Sequence, residues 1–150
     1  MINYRNRPKG NYIKDANWNE LYLLSEKWKS DLEFYLYELN FLETLIESHF
    51  SELLLTENLD ELRELQIELY ELKNQSEYLL SYTKNNLECI VDVINNVYIH
   101  ETSSLRIENE QLEENIVRFI NAEREIKKFI FNMIKSILEN KKSRKFWMFN

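Results

Sequence analysis

Glycine and proline are almost missing from this chain. Its 150 residues include one glycine, Gly10, and one proline, Pro8, and residues 11–150 contain neither. Sheet proteins need turn residues every few positions, so the shortage argues for few, long helices. Cysteine is nearly missing too. Cys89 stands alone, which excludes an internal disulfide and makes a reducing, cytoplasmic compartment the simplest expectation. No apolar run reaches the ~18 residues of a membrane span. Met1 to Arg5 lead into polar residues rather than an apolar stretch, so no secretory signal is expected. There are two histidines, and a lone glycine cannot make a phosphate-binding loop.

Charge of one sign dominates the middle of the chain. The net charge is -7, with 19 Lys and Arg against 26 Asp and Glu. Residues 1–15 carry four basic groups and one acid, residues 127–150 seven and one, and residues 16–126 eight and 24. The body is acidic and both ends are basic, which disfavours nucleic acid as a partner of the body.

What is present is helical periodicity. From Asn17 to Leu54, Trp18, Leu21, Ser25, Trp28, Leu32, Tyr35, Leu39, Leu42, Ile46, His49 and Leu53 alternate at steps of three and four. That spacing is the seam of a long helix packed on others at a period of about 3.5 residues. Asn17 with Glu20, and Asn58 with Glu61, read as helix-starting caps. The second seam reads Leu62, Leu65, Leu69, Leu72, Ser76, then Leu80, Thr83, Leu87, Ile90, Ile94 and Val97. Its step at Ser76 breaks the alternation, so a kink or break near residues 73–77 is an open possibility, with a continuous helix preferred. The third seam reads Leu105, Leu112, Ile116, Phe119, Glu123, Ile126, Ile130, Met133 and Ile137.

The expected fold is therefore all-α: an elongated, up-down-up antiparallel three-helix bundle with coiled-coil-like packing. Its helices fall at about 17–54, 59–100 and 104–140 within a bundle at 16–140. A basic arm at 1–15 precedes it and a basic, aromatic tail at 141–150 follows. Trp28, Leu39, Leu69, Ile90, Phe119 and Ile130 are the expected core.

Sites of chemistry are harder to build. His49 and His100 close the first two helices at opposite poles, and neither follows a glutamate by three residues, so no metal is expected. His49 reads as a seam residue bonded to the second helix near Arg63 or Gln66. Glu57, Glu61, Glu64, Glu68 and Glu71 line one stripe of the second helix, and Glu108, Glu110, Glu113 and Glu114 crowd the start of the third. Helical carboxylates can hold Mg²⁺, but a solvated face and a favourable helix N-terminus account for these two groups. Glu123 lies in the third seam. Counting through both turns sets it level with Tyr35 and Thr83, as a polar layer that fixes register. Cys89 lies eleven residues before His100, too far along one helix for activation. No catalytic residue and no cofactor are expected.

Surfaces say more. Leu23, Phe34, Tyr37 and Phe41 form a second stripe on the first helix, away from its seam. A three-helix bundle buries one stripe per helix, so this one calls for a cover: a second subunit, another protein or the tail. The reading that results is a non-enzymatic interaction or scaffold protein that forms a homodimer through this outer face, with an unknown protein partner as a further option. The alternative is a peripheral anchor that binds anionic membrane or nucleic acid through Lys141, Lys142, Arg144, Lys145 and Trp147. The arm, with Arg5, Arg7, Lys9, Tyr12 and Lys14, mixes basic and aromatic residues as nucleic-acid arms do. An all-α enzyme with a carboxylate metal site ranks third.

Overall fold

A computed structural model describes residue 5 and residues 7–149, with side chains as far as Lys141. Every regular element among them is helical: α1 (Tyr12–Asp15), α2 (Trp18–Ser48), α3 (Phe50–Leu53), α4 (Leu59–Ile94) and α5 (Thr102–Phe149). The helices pack on one another, α2 most extensively on α4, with α5 against both. At about 1.5 Å per residue, α2, α4 and α5 are roughly 46, 54 and 72 Å long.

The starts of α2 and α4 follow from their caps. The Asn17 side chain accepts from the Glu20 amide at 2.8 Å, and its own amide group donates to the Glu20 carboxylate at 2.9 Å. Asn58 accepts from the amide of Asp60 at 2.7 Å, one residue earlier than a box with Glu61 requires. Both satisfy helix-end donors that would otherwise lack partners.

The ends differ from expectation. The first long helix stops at Ser48, turns at His49 and resumes for one turn as α3. The second stops at Ile94, not at residue 100, because Asn96 adopts a left-handed conformation with φ of 59°. The Val97 amide then donates to the Asp92 carbonyl at 2.9 Å and the Asn96 amide to that of Val93 at 3.1 Å. This is the helix-ending pattern that glycine usually supplies, here supplied by asparagine. The third helix does not end near Asn140; its backbone runs on to Phe149.

The core matches the sequence periodicity apart from two shifts and the last two members of the second seam, Ile94 and Val97, which are exposed where α4 ends. Trp28, Leu39, Leu69, Ile90, Phe119 and Ile130 are all buried in one cluster. On α4 the buried residue after Ser76 is Leu79, not Leu80. The seam therefore runs Leu62, Leu65, Leu69, Leu72, Ser76, Leu79, Thr83, Asn86, Ile90 without a slip. With no slip there is no cause for a kink, and α4 is one continuous helix through residues 73–77. On α5 Ile134 is buried where Met133 was expected to be.

The arm lies on the bundle. Arg7 grips the buried carboxylate of Glu113 with two nitrogens, at 3.0 and 2.6 Å, and Arg5 reaches the same group at 2.6 Å. Ile13 is buried beneath. Arg106 donates to the carbonyls of Ile13 and Ala16 at 3.0 and 2.7 Å and lies 4.3 Å over the Trp18 ring. Glu113 is thus no helix-start charge but the socket for the arm.

Candidate functional site

The outer stripe of α2 is open. Leu23 is 69% exposed, Phe34 59%, Tyr37 74% and Phe41 52%. Each lies off the Trp28–Leu32–Leu39 seam by one or two helix positions, so packing against α4 cannot reach them. Phe34 rests edge-on against Tyr35, ring centroids 5.8 Å apart, and Tyr35 in turn against Phe119 at 6.1 Å. The exposed stripe is thereby tied to the core through one aromatic chain. Nearby, Lys127 of α5 donates to both oxygens of Glu38 on α2, at 3.0 and 2.9 Å.

Polar side chains also occupy the core. Asn86 and Asn109 exchange amide hydrogen bonds of 2.8 and 2.9 Å. Asn86 also donates to Ser25 at 3.1 Å, and Asn109 to the Leu105 carbonyl at 2.8 Å. All three side chains are buried, and they join α2, α4 and α5. The sequence reading missed this cluster. Its signal was the seven-residue gap between Leu105 and Leu112, with Asn109 at the vacant seam position.

Glu123 is fully buried, as expected of a seam residue, and its charge is felt by Tyr35, one of the two expected neighbours, but Thr83 is not the other. The Thr83 hydroxyl donates to Leu79 of its own helix at 2.7 Å. Residues 97 and 98 lie midway between the paired Asn86 and Asn109, whereas a helix ending at residue 100 moves that pivot near 102. The misplaced helix end therefore set Thr83 at the wrong height. Neither carboxylate oxygen of Glu123 has a hydrogen-bond partner among the described residues, and Lys127 stands 3.9 Å away. Burial pushes its carboxyl up to about 7, Glu38 adding to the rise while Lys127 and Arg124 oppose it.

Four of the five stripe glutamates line a groove of about 500 Å³ between α4 and α5. Glu57, Glu61, Glu64 and Glu68 form one wall and Glu125 of α5 the other, over an apolar floor that includes Leu65, Phe129 and Met133. None of the five carboxylates has a cation partner among the described residues. No group of three or more His, Cys, Asp or Glu is arranged to hold a metal ion among the described residues.

The remaining candidates are placed as follows. His49 faces Glu52 at 3.7 Å within the next turn, so its nearest partner is not on α4 as expected. His100 is exposed in the loop after α4, edge-on to Tyr98. Burial pushes the Cys89 thiol up, with Asp92, Glu108 and Glu88 adding to the rise, the opposite of what a nucleophile needs. Lys141 donates to Glu52 at 2.7 Å and holds that carboxyl below its ordinary range. It is therefore engaged within the chain. The side chains of Lys142, Arg144, Lys145 and Trp147 lie outside the described residues. No described helix is long and apolar enough to cross a membrane.

No family model, curated protein or solved structure matches this chain.

Proposed function

We propose that this chain is a non-enzymatic helical interaction module that associates with a second copy of itself through the outer face of α2. The observation that carries the reading is the exposure of Leu23, Phe34, Tyr37 and Phe41 on one side of α2. Three exposed aromatic rings forgo about 1.5–3 kcal/mol each relative to burial. A stripe paired with its own copy about a two-fold axis gives every ring an apolar partner.

The architecture that best presents this face is an up-down-up bundle of α2, α4 and α5. Supporting it, partners on α2 and α4 pair in opposite order: Ser25 with Asn86, Leu32 with Ser76, Glu43 with Lys73. Partners on α2 and α3 pair with α5 at a constant offset, Glu38 of α2 with Lys127 and Glu52 of α3 with Lys141. In that arrangement the core is used up by the three seams, and the outer face of α2 has no intramolecular cover. Light scattering on the wild type and on Phe34→Glu/Phe41→Glu tests the reading: the variant should drop in mass by one dissociation step and stay helical.

A further inference from the structure

The groove between α4 and α5 combines an apolar floor with an acidic rim that has no cation partner among the described residues. We propose that it receives residues 142–149 of a second copy of this chain, a contact separate from the outer face of α2. The argument rests first on charge. Lys142, Arg144 and Lys145 are followed by Phe146, Trp147, Met148 and Phe149, so basic and apolar groups occur together as rim and floor require. Three other basic side chains near the chain ends are already engaged: Arg5 and Arg7 on Glu113, Lys141 on Glu52.

Geometry then selects the donor. The α5 wall of the groove and the 142–149 segment belong to one continuous helix, Thr102–Phe149. A continuous helix cannot fold back onto its own wall, so the occupant comes from another molecule. A two-fold axis across α5 near residue 137, midway between Phe129 and Lys145, lays each segment antiparallel along the other copy's groove. Both grooves are then filled by one closed, isologous contact.

The test uses the full chain carrying Phe34→Glu/Phe41→Glu, so that failure of the α2 reading does not touch it. One variant adds Glu61→Lys/Glu64→Lys, another adds Lys142→Glu/Arg144→Glu/Lys145→Glu. Sedimentation should show each variant alone associating at least about tenfold more weakly than the parent, and an equal mixture, again complementary in charge, recovering the parental mass. A labelled peptide of residues 141–150 should bind the second variant saturably, and replacing its aromatic residues with alanine should weaken it about tenfold. The exposed Phe129→Glu should give the same loss as the groove reversal. A mixture that stays dissociated overturns the proposal. So does a peptide that binds equally well with its aromatic residues removed, which would mean the rim merely attracts any cation.

Discussion

Glu123 carries the largest electrostatic cost visible at the scale of single residues. It is fully buried, and neither oxygen accepts a hydrogen bond among the described residues. The groups that act on it or feel it are Glu38 and Tyr35 of α2 and Arg124 and Lys127 of its own helix; α4 adds none. Its folded pKa of about 7 lies above the ordinary 4.5, so between those values the folded state binds more protons than the unfolded one. Stability from this group is complete below 4.5 and is lost as pH rises through 7, a swing of up to about 3 kcal/mol. Glu123→Gln keeps the shape and removes the charge. It should stabilise the protein by about 1–3 kcal/mol at pH 8.5 and by clearly less at pH 5.5 in urea unfolding. A difference that does not change with pH would mean the carboxylate is ionised at no cost. The Asn86–Asn109 pair is the opposite case, a buried polar group with its partners in place. Asn109→Leu should cost about 1–3 kcal/mol, because Asn86 is left unpaired, while Asn86→Leu/Asn109→Leu should recover most of that loss. A double variant as unstable as the single one would show that packing volume, not hydrogen bonding, sets the cost. Glu123 was legible from its seam position alone. Asn109 was not, because an apolar pattern is read by its apolar members and a polar core residue looks like a gap.

For α2 and α4 the starts were legible and the ends were not, and the one-turn helices α1 and α3 were not read at all. Asn17 and Asn58 announce their helices through side chains that bond the first turn. Helix ends are announced by glycine or proline, and this chain has neither beyond residue 10. Asn96 does the same work but is one of 18 asparagines, most of them elsewhere in the helices, so it carries no distinctive signal. Reading α4 six residues too long shifted α5 against it and put Thr83 beside Glu123. The apparent slip at Ser76 has a different origin. Leu79 and Leu80 are adjacent leucines, and periodicity cannot choose between neighbours of one type. Their burial separates them: Leu79 is 2% exposed and Leu80 is half-buried. Leu79→Ala should therefore cost about 2–5 kcal/mol and Leu80→Ala roughly 1 kcal/mol, measured as shifts in the urea midpoint at constant slope. Equal losses would place the α4 seam between the two and reopen the question of a local twist.

For the whole molecule, the acidic body sets the terms of association. A net charge of -7 opposes the approach of two copies, so any contact between them must be apolar or must bring cations to the acidic surface. The contact proposed for the outer face of α2 is the first kind and that proposed for the groove with residues 142–149 the second. Two different two-fold contacts on one chain build assemblies larger than a dimer, and removing either should leave a dimer held by the other. Phe34→Glu/Phe41→Glu places four charges in an α2–α2 interface. Combined with Lys142→Glu/Arg144→Glu/Lys145→Glu, it should give a monomer. Phe34 and Phe41 are more than half exposed, so the substitutions should leave the helical signal in circular dichroism unchanged and the thermal midpoint within a few degrees. Salt separates the two contacts without mutation. Moving from about 0.05 to 0.5 M salt screens ionic contacts over a few ångströms and should dissolve the groove contact, while the α2 contact persists or tightens as repulsion between the bodies is screened. A wild type that is monomeric at millimolar concentration would defeat the α2 reading. A double variant at Phe34 and Phe41 that loses its helical signal would defeat it differently, by showing that the stripe supports the fold of the single chain.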